Sequence, residues 1–443
     1  MPRPSENDVA THTARFIAML DDAFRGYGAP EGLPSRLRDA VAATPRHRFV
    51  HRFRIGDGLL QDLDAEPEQA LPAVYSDQVM RHVDAAGELL PSSNSQPSYV
   101  LWLLHLLGLE PGQGVLEIGS GSGWLAAVMG RLVGPSGKVV GIELIPDLAQ
   151  QSRMDLEDLG NVEIVTGDGT QGYAAGAPFD RAMITAGTWG LPAALFDQVA
   201  DGGRILAPVE LRDGSGCEVT VLRRQGAVLV AEQAVPGWFV PLLGPGQERG
   251  AAYRRLDALP FWNDVRREPS VRRGLPLGAL QGDGPAPIAA QFRAFLGRTE
   301  PGMATFAAET DTGWTPWRPV PPSSRPVAPF GLVDEAERSV ALWDAGELVG
   351  YGGRAAAVRL ARAYARWAES GLPGMGAFEL EVHRADAAPA SSDHLWVEPR
   401  GATALAWRLK PGVASWRDVL GSSDQQLSEP LNKRLREQKE ARR

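Results

Sequence analysis

The sequence predicts an α/β fold, in which a parallel β-sheet carries helices on both faces and is followed by a C-terminal α+β extension. Between residues 91 and 235, five short apolar runs alternate with stretches of helical periodicity, which is the pattern of parallel strands joined by crossover helices. Beyond residue 330, strand-like runs flank a single amphipathic helix and no such alternation is seen. A chain of 443 residues is long enough for two or three folding units.

Four regions are predicted from these patterns. Residues 1–90 are polar with apolar positions at helical spacing, so they are expected to be an N-terminal helical region. Residues 91–235 are the predicted α/β domain, and residues 236–329 have no clear period and end in a Pro-rich linker that begins at residue 314. Residues 330–443 are expected to form the α+β domain with a basic tail.

The predicted strands of the α/β domain are the apolar runs at 115–118, 139–142, 162–165, 182–185 and 205–209. The predicted helices between them are 124–133, 146–159 and 192–199. After the fifth strand, residues 217–222 and 227–231 are expected to form a hairpin that gives the sheet an antiparallel edge. In the C-terminal region, two strands within 339–351 are expected to precede a helix at 354–370, with further strands at 378–383, 395–398 and 404–409.

Charge and composition exclude several classes of protein. Lys and Arg together number 45 against 54 for Asp and Glu, and the net charge of -9 argues against a nucleic-acid partner. The single cysteine, Cys217, excludes an intrachain disulfide and a multi-cysteine metal site, and no metal is predicted. The longest apolar stretch, residues 101–109, is too short to span a membrane, and the first residues lack the apolar core of a signal peptide. The expected location is therefore the cytoplasm, with no membrane partner.

A glycine-rich turn follows the first predicted strand of the α/β domain. Gly119, Gly121 and Gly123 stand between that strand and a helix, where glycine allows a positive φ and a close approach of backbone to ligand. The spacing G-x-G-x-G differs from the G-x-G-x-x-G of dinucleotide sites. Glu117, two residues before the turn, favours a cation over a pyrophosphate. The predicted ligand is a nucleoside that bears an amino acid.

Acidic residues also end the next two predicted strands. Glu143 lies 20 residues beyond Gly123, where an α/β sheet places a carboxylate on a ribose diol. Asp168 lies between Gly167 and Gly169 at the end of the third strand. Because ligands of open α/β sheets bind at the carboxyl ends of the strands, these acids are expected to converge on one site. The alternative is a plain tight turn with Glu143 as a solvated strand end.

Several segments together resemble class I S-adenosylmethionine methyltransferases, and most closely the protein-L-isoaspartate O-methyltransferases. The resemblance covers roughly residues 30–225 and implies a Rossmann-like methyltransferase sheet. The segments that carry it are TPRHRFV (44–50), Ser95-Gln96-Pro97, VLEIGSGSGW (115–124), GIEL (141–144), VTGDG (165–169), APFD (177–180) and ITAG (184–187).

The resemblance implies S-adenosyl-L-methionine as the cofactor and a role for each motif. Glu117 and the glycine turn are expected to hold the methionine end of the cofactor, and Glu143 its ribose hydroxyls. Asp168 and Gly169 are expected to flank the adenine. The full set of expected cofactor-binding residues is Glu117, Gly119, Ser120, Gly121, Gly123, Glu143, Leu144, Asp168, Gly169 and Thr185.

The resemblance also implies methyl transfer to the carboxylate of an isoaspartyl or aspartyl residue in a protein or peptide. A carboxylate with a pKa of about 4 is already ionised at pH 7, so this chemistry needs no general base. A neutral hydroxyl orients such a group without pairing its charge. Ser95 is the catalytic candidate, with Ser93 or Ser98 as a substitute. A serine before a helix is more commonly an N-cap, and that alternative remains open.

The chain departs from the family pattern near the expected acceptor site. Pro91-Ser92-Ser93 replaces the family's Gly-Gln-Thr, and Asn94 replaces an apolar residue. Glu210 stands where the family has a glycine after the fifth strand. These departures leave the exact acceptor open.

Four functional hypotheses follow. The leading one is a carboxyl O-methyltransferase that repairs isoaspartyl residues through a methyl ester and a succinimide. Residues 366–382 and 394–399 are similar to the extension of a branch that methylates a normal aspartate in ribosomal peptide (RiPP) biosynthesis and gives aspartimide. A non-catalytic cofactor- or peptide-binding module and a small-molecule O-methyltransferase are the others. The D/N-P-P-[YF] segment of base methyltransferases is absent at 185–189, and the oligomeric state is open.

Overall fold

The computed structural model describes residues 5–56, 58–212, 216–244, 253–274, 288–307, 330–344 and 347–410. Within these ranges the strands form three sheets, of four, ten and six strands. The predicted Pro-rich linker from residue 314 and the basic tail lie outside the described residues.

The N-terminal region combines three helices with a small antiparallel sheet. Its helices are α1 (Glu6–Gly26), α2 (Ser35–Ala42) and α3 (Pro67–Val74). Its strands are β1 (Arg52–Ile55), β2 (Leu60–Asp62), β3 (Met80–Val83) and β4 (Leu89–Asn94), in the order β2-β1-β3-β4. The prediction of a helical region over 1–90 missed this sheet, because the strands are at most six residues long and rich in Arg and Ser, with no apolar run to mark them.

The α/β domain has the predicted parallel strands. In chain order its elements are α4 (Pro97–Leu107), β5 (Gly114–Ile118), α5 (Trp124–Val133), β6 (Lys138–Glu143), α6 (Pro146–Asp155), β7 (Val162–Thr166), β8 (Phe179–Ile184), α7 (Leu195–Gln198) and β9 (Val199–Glu210). All five predicted strands and the helix at 124–133 are confirmed, while the predicted helices at 146–159 and 192–199 are shorter than expected. The helix predicted at 192–199 is only the single turn α7, because β9 already begins at Val199.

Alternate residues of the parallel strands point to opposite faces, and both faces are buried. Val115 and Val139 belong to the core that contains α4, α5 and the N-terminal helices. Leu116 and Val140 belong to a second core on the other face. The predicted helices on both faces are therefore confirmed, and the burial explains why these strands are apolar throughout.

The remaining elements are β10 (Cys217–Gln225), β11 (Val228–Gly237), β12 (Tyr253–Arg255), α8 (Trp262–Val265), β13 (Val271–Gly274), α9 (Ile288–Thr299), β14 (Met303–Ala307), β15 (Phe330–Asp334), β16 (Ser339–Asp344), β17 (Glu347–Gly352), α10 (Ala355–Glu369), β18 (Phe378–Arg384), β19 (Leu395–Arg400) and β20 (Thr403–Leu409). The hairpin β10–β11 is confirmed, as are the C-terminal strands and helix. The predicted irregular region 236–329 contains three strands and two helices among its described residues.

The strands of the C-terminal extension are divided between two sheets, which the sequence did not predict. The ten-stranded sheet has the order β19-β20-β18-β11-β10-β9-β8-β5-β6-β7, so the hairpin is interior and β18 to β20 extend the central sheet. The six-stranded sheet, β12-β14-β15-β16-β17-β13, packs on α10. Buried aromatic residues of this part, such as Phe292 and Trp367 with ring centroids 5.1 Å apart, belong to the same core as Leu116 and Val140.

Among the described residues, no helix combines the length and the apolar character that crossing a bilayer requires.

Candidate functional site

The candidate site lies at the carboxyl ends of β5 to β8. The chain runs from β5 to β6 and β7 on one side of the sheet, and returns to β8 and β9 on the other. The order of strands therefore reverses between β5 and β8, and such a switch point opens a ligand crevice. Thr185, just after β8, contacts the loop after β5. Its Oγ1 donates to the Gly119 carbonyl at 2.6 Å, and its backbone N–H donates to the Ile118 carbonyl at 3.0 Å.

The glycines of the loop after β5 adopt backbone conformations that other residues avoid. Gly119, Gly121 and Gly123 have φ of 89°, 55° and 81°. A Cβ on Gly119 would lie 2.9 Å from the Thr185 Oγ1. The sequence-based expectation of a loop that only glycine can build is confirmed at these three positions.

Glu143, at the end of β6, ties this loop in place. Its Oε2 accepts from the Gly121 backbone N–H at 2.8 Å, and its Oε1 accepts from the Ile145 N–H at 2.9 Å. Ser152 on α6 donates to the Gly121 carbonyl at 2.7 Å. Glu143 is only 5% exposed, so the alternative of a solvated strand end is wrong. The carboxylate still has acceptor capacity for a ligand hydroxyl.

Glu117 is the least compensated charge of the site. It is 1% exposed, and its Oε2 has no hydrogen-bond partner among the described residues. Burial, followed by repulsion from Glu143, raises the pKa of Glu117 to about 8. Burial also raises the pKa of Glu143, and its backbone hydrogen bonds oppose that shift. The hydroxyl of Ser120 is likewise buried without a partner in the described part of the chain. A ligand with a positive charge and a donor group would satisfy these atoms.

Asp168 and Gly169 complete the expected cofactor set at the same edge. Asp168 follows β7, and its Oδ1 accepts from the Thr170 N–H at 2.9 Å, which holds the carboxylate in a tight turn. A Cβ on Gly169 would lie 2.3 Å from the Ile118 Cγ2, so only glycine fits. Leu144 follows Glu143 and is half-buried. The ten residues expected to bind the cofactor thus all lie in the loops or strand ends of one edge.

The predicted serines occupy different environments. Ser95 lies half-buried between the end of β4 and the start of α4 at Pro97. Ser98 is fully buried and donates to Asp77 at 2.6 Å, so its hydroxyl is held within the fold. Ser93 pairs with Arg81 and lies on the strand face opposite to Asn94. Of the three, Ser95 is the one that remains a candidate for acceptor binding.

A buried polar group that sequence reasoning missed lies between β3, β4 and the glycine loop. His82 Nδ1 is 3.0 Å from the Ser92 Oγ, and Ser122 donates to the Asn94 Oδ1 at 2.7 Å. The four residues come from three separate segments, so no motif spacing joins them. The one available signal is the replacement of the family's apolar residue by Asn94.

The C-terminal region reaches the rim of the site through Arg400. This side chain is 2% exposed and donates to the backbone carbonyls of Trp189 at 2.8 Å and Glu210 at 2.7 Å. Its guanidinium lies 3.8 Å from the centre of the Trp189 ring and pairs with Glu398 at 2.8 Å. The segment after β8 and the end of β9 are therefore held by a residue of β19.

Among the residues that the structure describes, no group of His, Cys, Asp and Glu is arranged to hold a metal ion. A surface pocket of about 770 Å³, lined by residues such as Arg36, Arg131 and Asn161, lies by the amino end of β7 and is not part of this site.

Replacing Gly119 with alanine is expected to disrupt the loop. The new Cβ would be forced against Thr185 in a positive-φ conformation, at a cost of about 1–3 kcal/mol. We expect lower stability in chemical unfolding and at least tenfold weaker binding of S-adenosylhomocysteine in calorimetry. Gly160→Ala, where the Cβ meets nothing within 4 Å, is the matched control. Equal behaviour of the two variants would contradict the proposed constraint.

Comparison with known proteins gives consistent matches. A family model described as Protein-L-isoaspartate(D-aspartate) O-methyltransferase matches residues 65–247. A protein-L-isoaspartate O-methyltransferase of Methanococcus maripaludis is 36% identical over 212 residues, which cover 46% of this chain and 86% of the relative. That of Methanothrix thermoacetophila is 34% identical over 231 residues, 51% of this chain and 93% of the relative. A solved structure of a protein-L-isoaspartate O-methyltransferase aligns over 84% of this chain and 96% of its own, with 21% identity and a TM-score of 0.49.

Proposed function

This chain belongs to the protein-L-isoaspartate O-methyltransferase family of S-adenosylmethionine-dependent enzymes, and we propose that it methylates the carboxylate of isoaspartyl residues in proteins or peptides. The buried, unpaired Glu117 beside the glycine loop supports the binding of the cofactor, and the membership of the family supports the isoaspartyl acceptor. A carboxylate there calls for a cationic partner, and the loop leaves room for backbone contacts. The net charge of -9 gives no support to a nucleic-acid partner. We also propose that the protein acts in the cytoplasm.

The residues present fit the cofactor that the family uses. Glu117 and the Ser120 hydroxyl, both without partners in the described structure, would hold its amino-acid end. Glu143 and Leu144 would contact the ribose, and Asp168 with Gly169 would flank the adenine. Thr185 would act indirectly, because its hydroxyl already holds the Gly119 carbonyl.

The chain's own residues have a modest catalytic task. When bound, the cofactor supplies an electrophilic methyl group on a sulfonium. The acceptor carboxylate, with a pKa of about 4, is ionised at neutral pH, so no residue has to remove a proton. The protein must hold the acceptor oxygen in line and exclude water, and such positioning can supply several kcal/mol. Ser95 would donate to the acceptor carboxylate, and its neutrality would leave the oxygen nucleophilic.

The product of this transfer is a methyl ester. Attack by the backbone nitrogen of the following residue then forms a five-membered succinimide and expels methanol, with the nitrogen's proton leaving to solvent. This second step needs no group of the enzyme. Water then opens the succinimide to an aspartyl or an isoaspartyl residue, so with an isoaspartyl substrate repeated cycles amount to repair.

Labelled S-adenosylmethionine tests the proposal directly. The full-length protein is incubated with an isoaspartyl peptide and with the same peptide containing normal aspartate, beside an established enzyme of the family. Base-labile label on the isoaspartyl peptide alone is expected. Label on the aspartyl peptide alone would favour the peptide-modifying alternative, to which the comparisons give no specific support. Cofactor binding without transfer to any carboxylate would favour a binding module, and transfer to free carboxylic acids alone would favour a small-molecule enzyme.

Ser95→Ala is expected to lower turnover about tenfold or more, which corresponds to loss of one hydrogen bond of roughly 1.5 kcal/mol. Affinity for S-adenosylhomocysteine should not change, because the expected role concerns the acceptor. Ser93→Ala is the matched control, since Ser93 lies on the opposite face of the preceding strand. Unchanged turnover in the Ser95 variant would remove the proposed role of its hydroxyl.

A further inference from the structure

The loop of the candidate site is faced by a second buried group, on the β3–β4 hairpin. His82 and Asn94 are on the same face of that hairpin, because Asn94 pairs with Met80, two residues from His82. The His82 Cε1 lies 3.4 Å from where a Cβ on Gly121 would be, and Asn94 contacts Ser122. Both side chains therefore border the loop that Glu117 precedes.

Two buried side-chain nitrogens of this group have no hydrogen-bond partner among the described residues. Ser122 donates to the Asn94 Oδ1, so the Asn94 amide points its NH₂ elsewhere, and this Nδ2 has no partner in the described structure. His82 is 6% exposed, its Nδ1 meets the Ser92 hydroxyl, and its Nε2 also lacks a partner within the described ranges. When Ser92 donates to Nδ1, the imidazole proton must be on Nε2. Buried donors of this kind can take an acceptor from a ligand.

The group is built to be neutral. Burial lowers the pKa of His82 to about 4, and the nearby Asn94 side chain opposes part of that shift. His82 therefore remains uncharged throughout the neutral range, and with the proton on Nε2 it is a neutral donor. A neutral donor binds an anionic oxygen without the strong ion pair that an Arg or Lys would form, which matters where that oxygen must stay reactive or must be released.

We propose that His82 and Asn94, positioned by Ser92 and Ser122, form a binding site for a carboxylate beside the glycine loop. The proposal rests on the proposed function, because it deepens the same site. Two carboxylates have this chemistry: that of the cofactor's amino-acid end, which would sit close to Glu117, and that of the acceptor residue, which would sit close to Ser95. The residues that replace the family's pattern, Ser92 and Asn94, are then the ones that build the site.

Calorimetry separates the two sources. S-adenosylhomocysteine carries the amino-acid end, while 5′-methylthioadenosine has the same nucleoside without it. Each is titrated into the full-length protein and into the variants His82→Leu and Asn94→Leu. Unchanged affinity for 5′-methylthioadenosine would show that the nucleoside pocket is folded in a variant, and His82→Gln, which restores a donor, should recover part of any lost affinity.

The outcomes are distinct. A loss of at least tenfold in affinity for S-adenosylhomocysteine alone assigns the pair to the cofactor's carboxylate. Unchanged affinity for both nucleosides, with at least a tenfold increase in KM for the isoaspartyl peptide, assigns it to the acceptor. No change in either measurement overturns the inference while the proposed function stands. Failure of the unmodified protein to bind S-adenosylhomocysteine would overturn the proposed function itself.

The tautomer of the His82 ring can be measured, and its response to the ligand would be absent if His82 had only a structural role. A ¹⁵N–¹H correlation spectrum of the histidine rings should show the His82 proton on Nε2 at neutral pH, with a shift on binding the carboxylate ligand. A proton on Nδ1 instead would overturn the donor assignment.

Discussion

Replacement of Glu117 with glutamine is expected to abolish high-affinity cofactor binding and, at the same time, to stabilise the unliganded protein. The carboxyl is 1% exposed and has no partner for its Oε2 within the described chain, so ionising it in the folded protein is costly. Glutamine has nearly the same shape as glutamate and does not ionise, so it removes that cost. It also removes the charge that a cationic ligand would meet, so the two effects have opposite signs.

The pH dependence of the stability follows from the raised pKa. Below pH 4.5, the ordinary value, Glu117 is protonated in both the folded and the unfolded chain and costs nothing by ionisation. As the pH rises towards 8, Glu117 ionises in the unfolded chain but stays largely protonated in the folded protein. The stability contributed by the protonated carboxyl is therefore lost. The gain in stability of the variant should therefore be absent below pH 4.5 and reach on the order of 4 kcal/mol near pH 8.

Two measurements check this expectation. Urea unfolding at pH 5 and pH 8 should show the stability difference growing with pH, with Glu157→Gln, an exposed glutamate, as the matched control. Titration of S-adenosylhomocysteine at pH 6.5 in two buffers of different ionisation enthalpy should show release of about one proton in the unmodified protein, because binding ionises Glu117. A Glu117→Gln protein that is less stable at pH 8 and binds the ligand normally would contradict both parts.

The site residues found by sequence are those whose signal is local. The glycine loop, Glu117 and Glu143 stand at fixed distances after apolar runs, and buried parallel strands must be apolar on both faces, so strand and site are marked together. His82 had no such signal. It lies in a four-residue strand between Arg81 and Val83, and its partners come from elsewhere in the chain. Hydrogen bonding between distant segments leaves no periodicity to read.

The same limit applies to the extension. Its strands other than β15 were predicted, but a strand's pattern does not say which sheet it joins. Leu229 of β11 pairs with Val382 of β18, and this contact joins segments about 150 residues apart in the chain. Apolar residues on β18 would suit an independent core equally well. Only the pairing shows that the extension is continuous with the catalytic sheet, and Arg400 shows that it also reaches the rim of the site.

Arg400→Met is therefore expected to destabilise the protein and impair catalysis together. Methionine fills much of the space but leaves the carbonyls of Trp189 and Glu210 without their donor and removes a partner of Glu398. Arg212 still pairs with Glu398 in the variant, so the loss of the hydrogen bonds of Arg400 is expected to cost about 2–3 kcal/mol. Thermal and urea unfolding should register a loss of this size. Arg408→Met is the matched control, because Arg408 is on neighbouring β20 but its side chain is 43% exposed and 3.8 Å from Glu381.

The activity of the Arg400 variant distinguishes a structural tie from a role at the site. Trp189 and Glu210 flank the segment that starts at Thr185, so freeing them should loosen the wall around the acceptor even where the protein remains folded. At a temperature well below the unfolding transition, we expect a higher KM for the isoaspartyl peptide with little change in affinity for S-adenosylhomocysteine. If both are unchanged in the folded variant, Arg400 only stabilises the sheet. If the variant is as stable as the Arg408 control, the extension is not held to the catalytic edge in the way the contacts indicate.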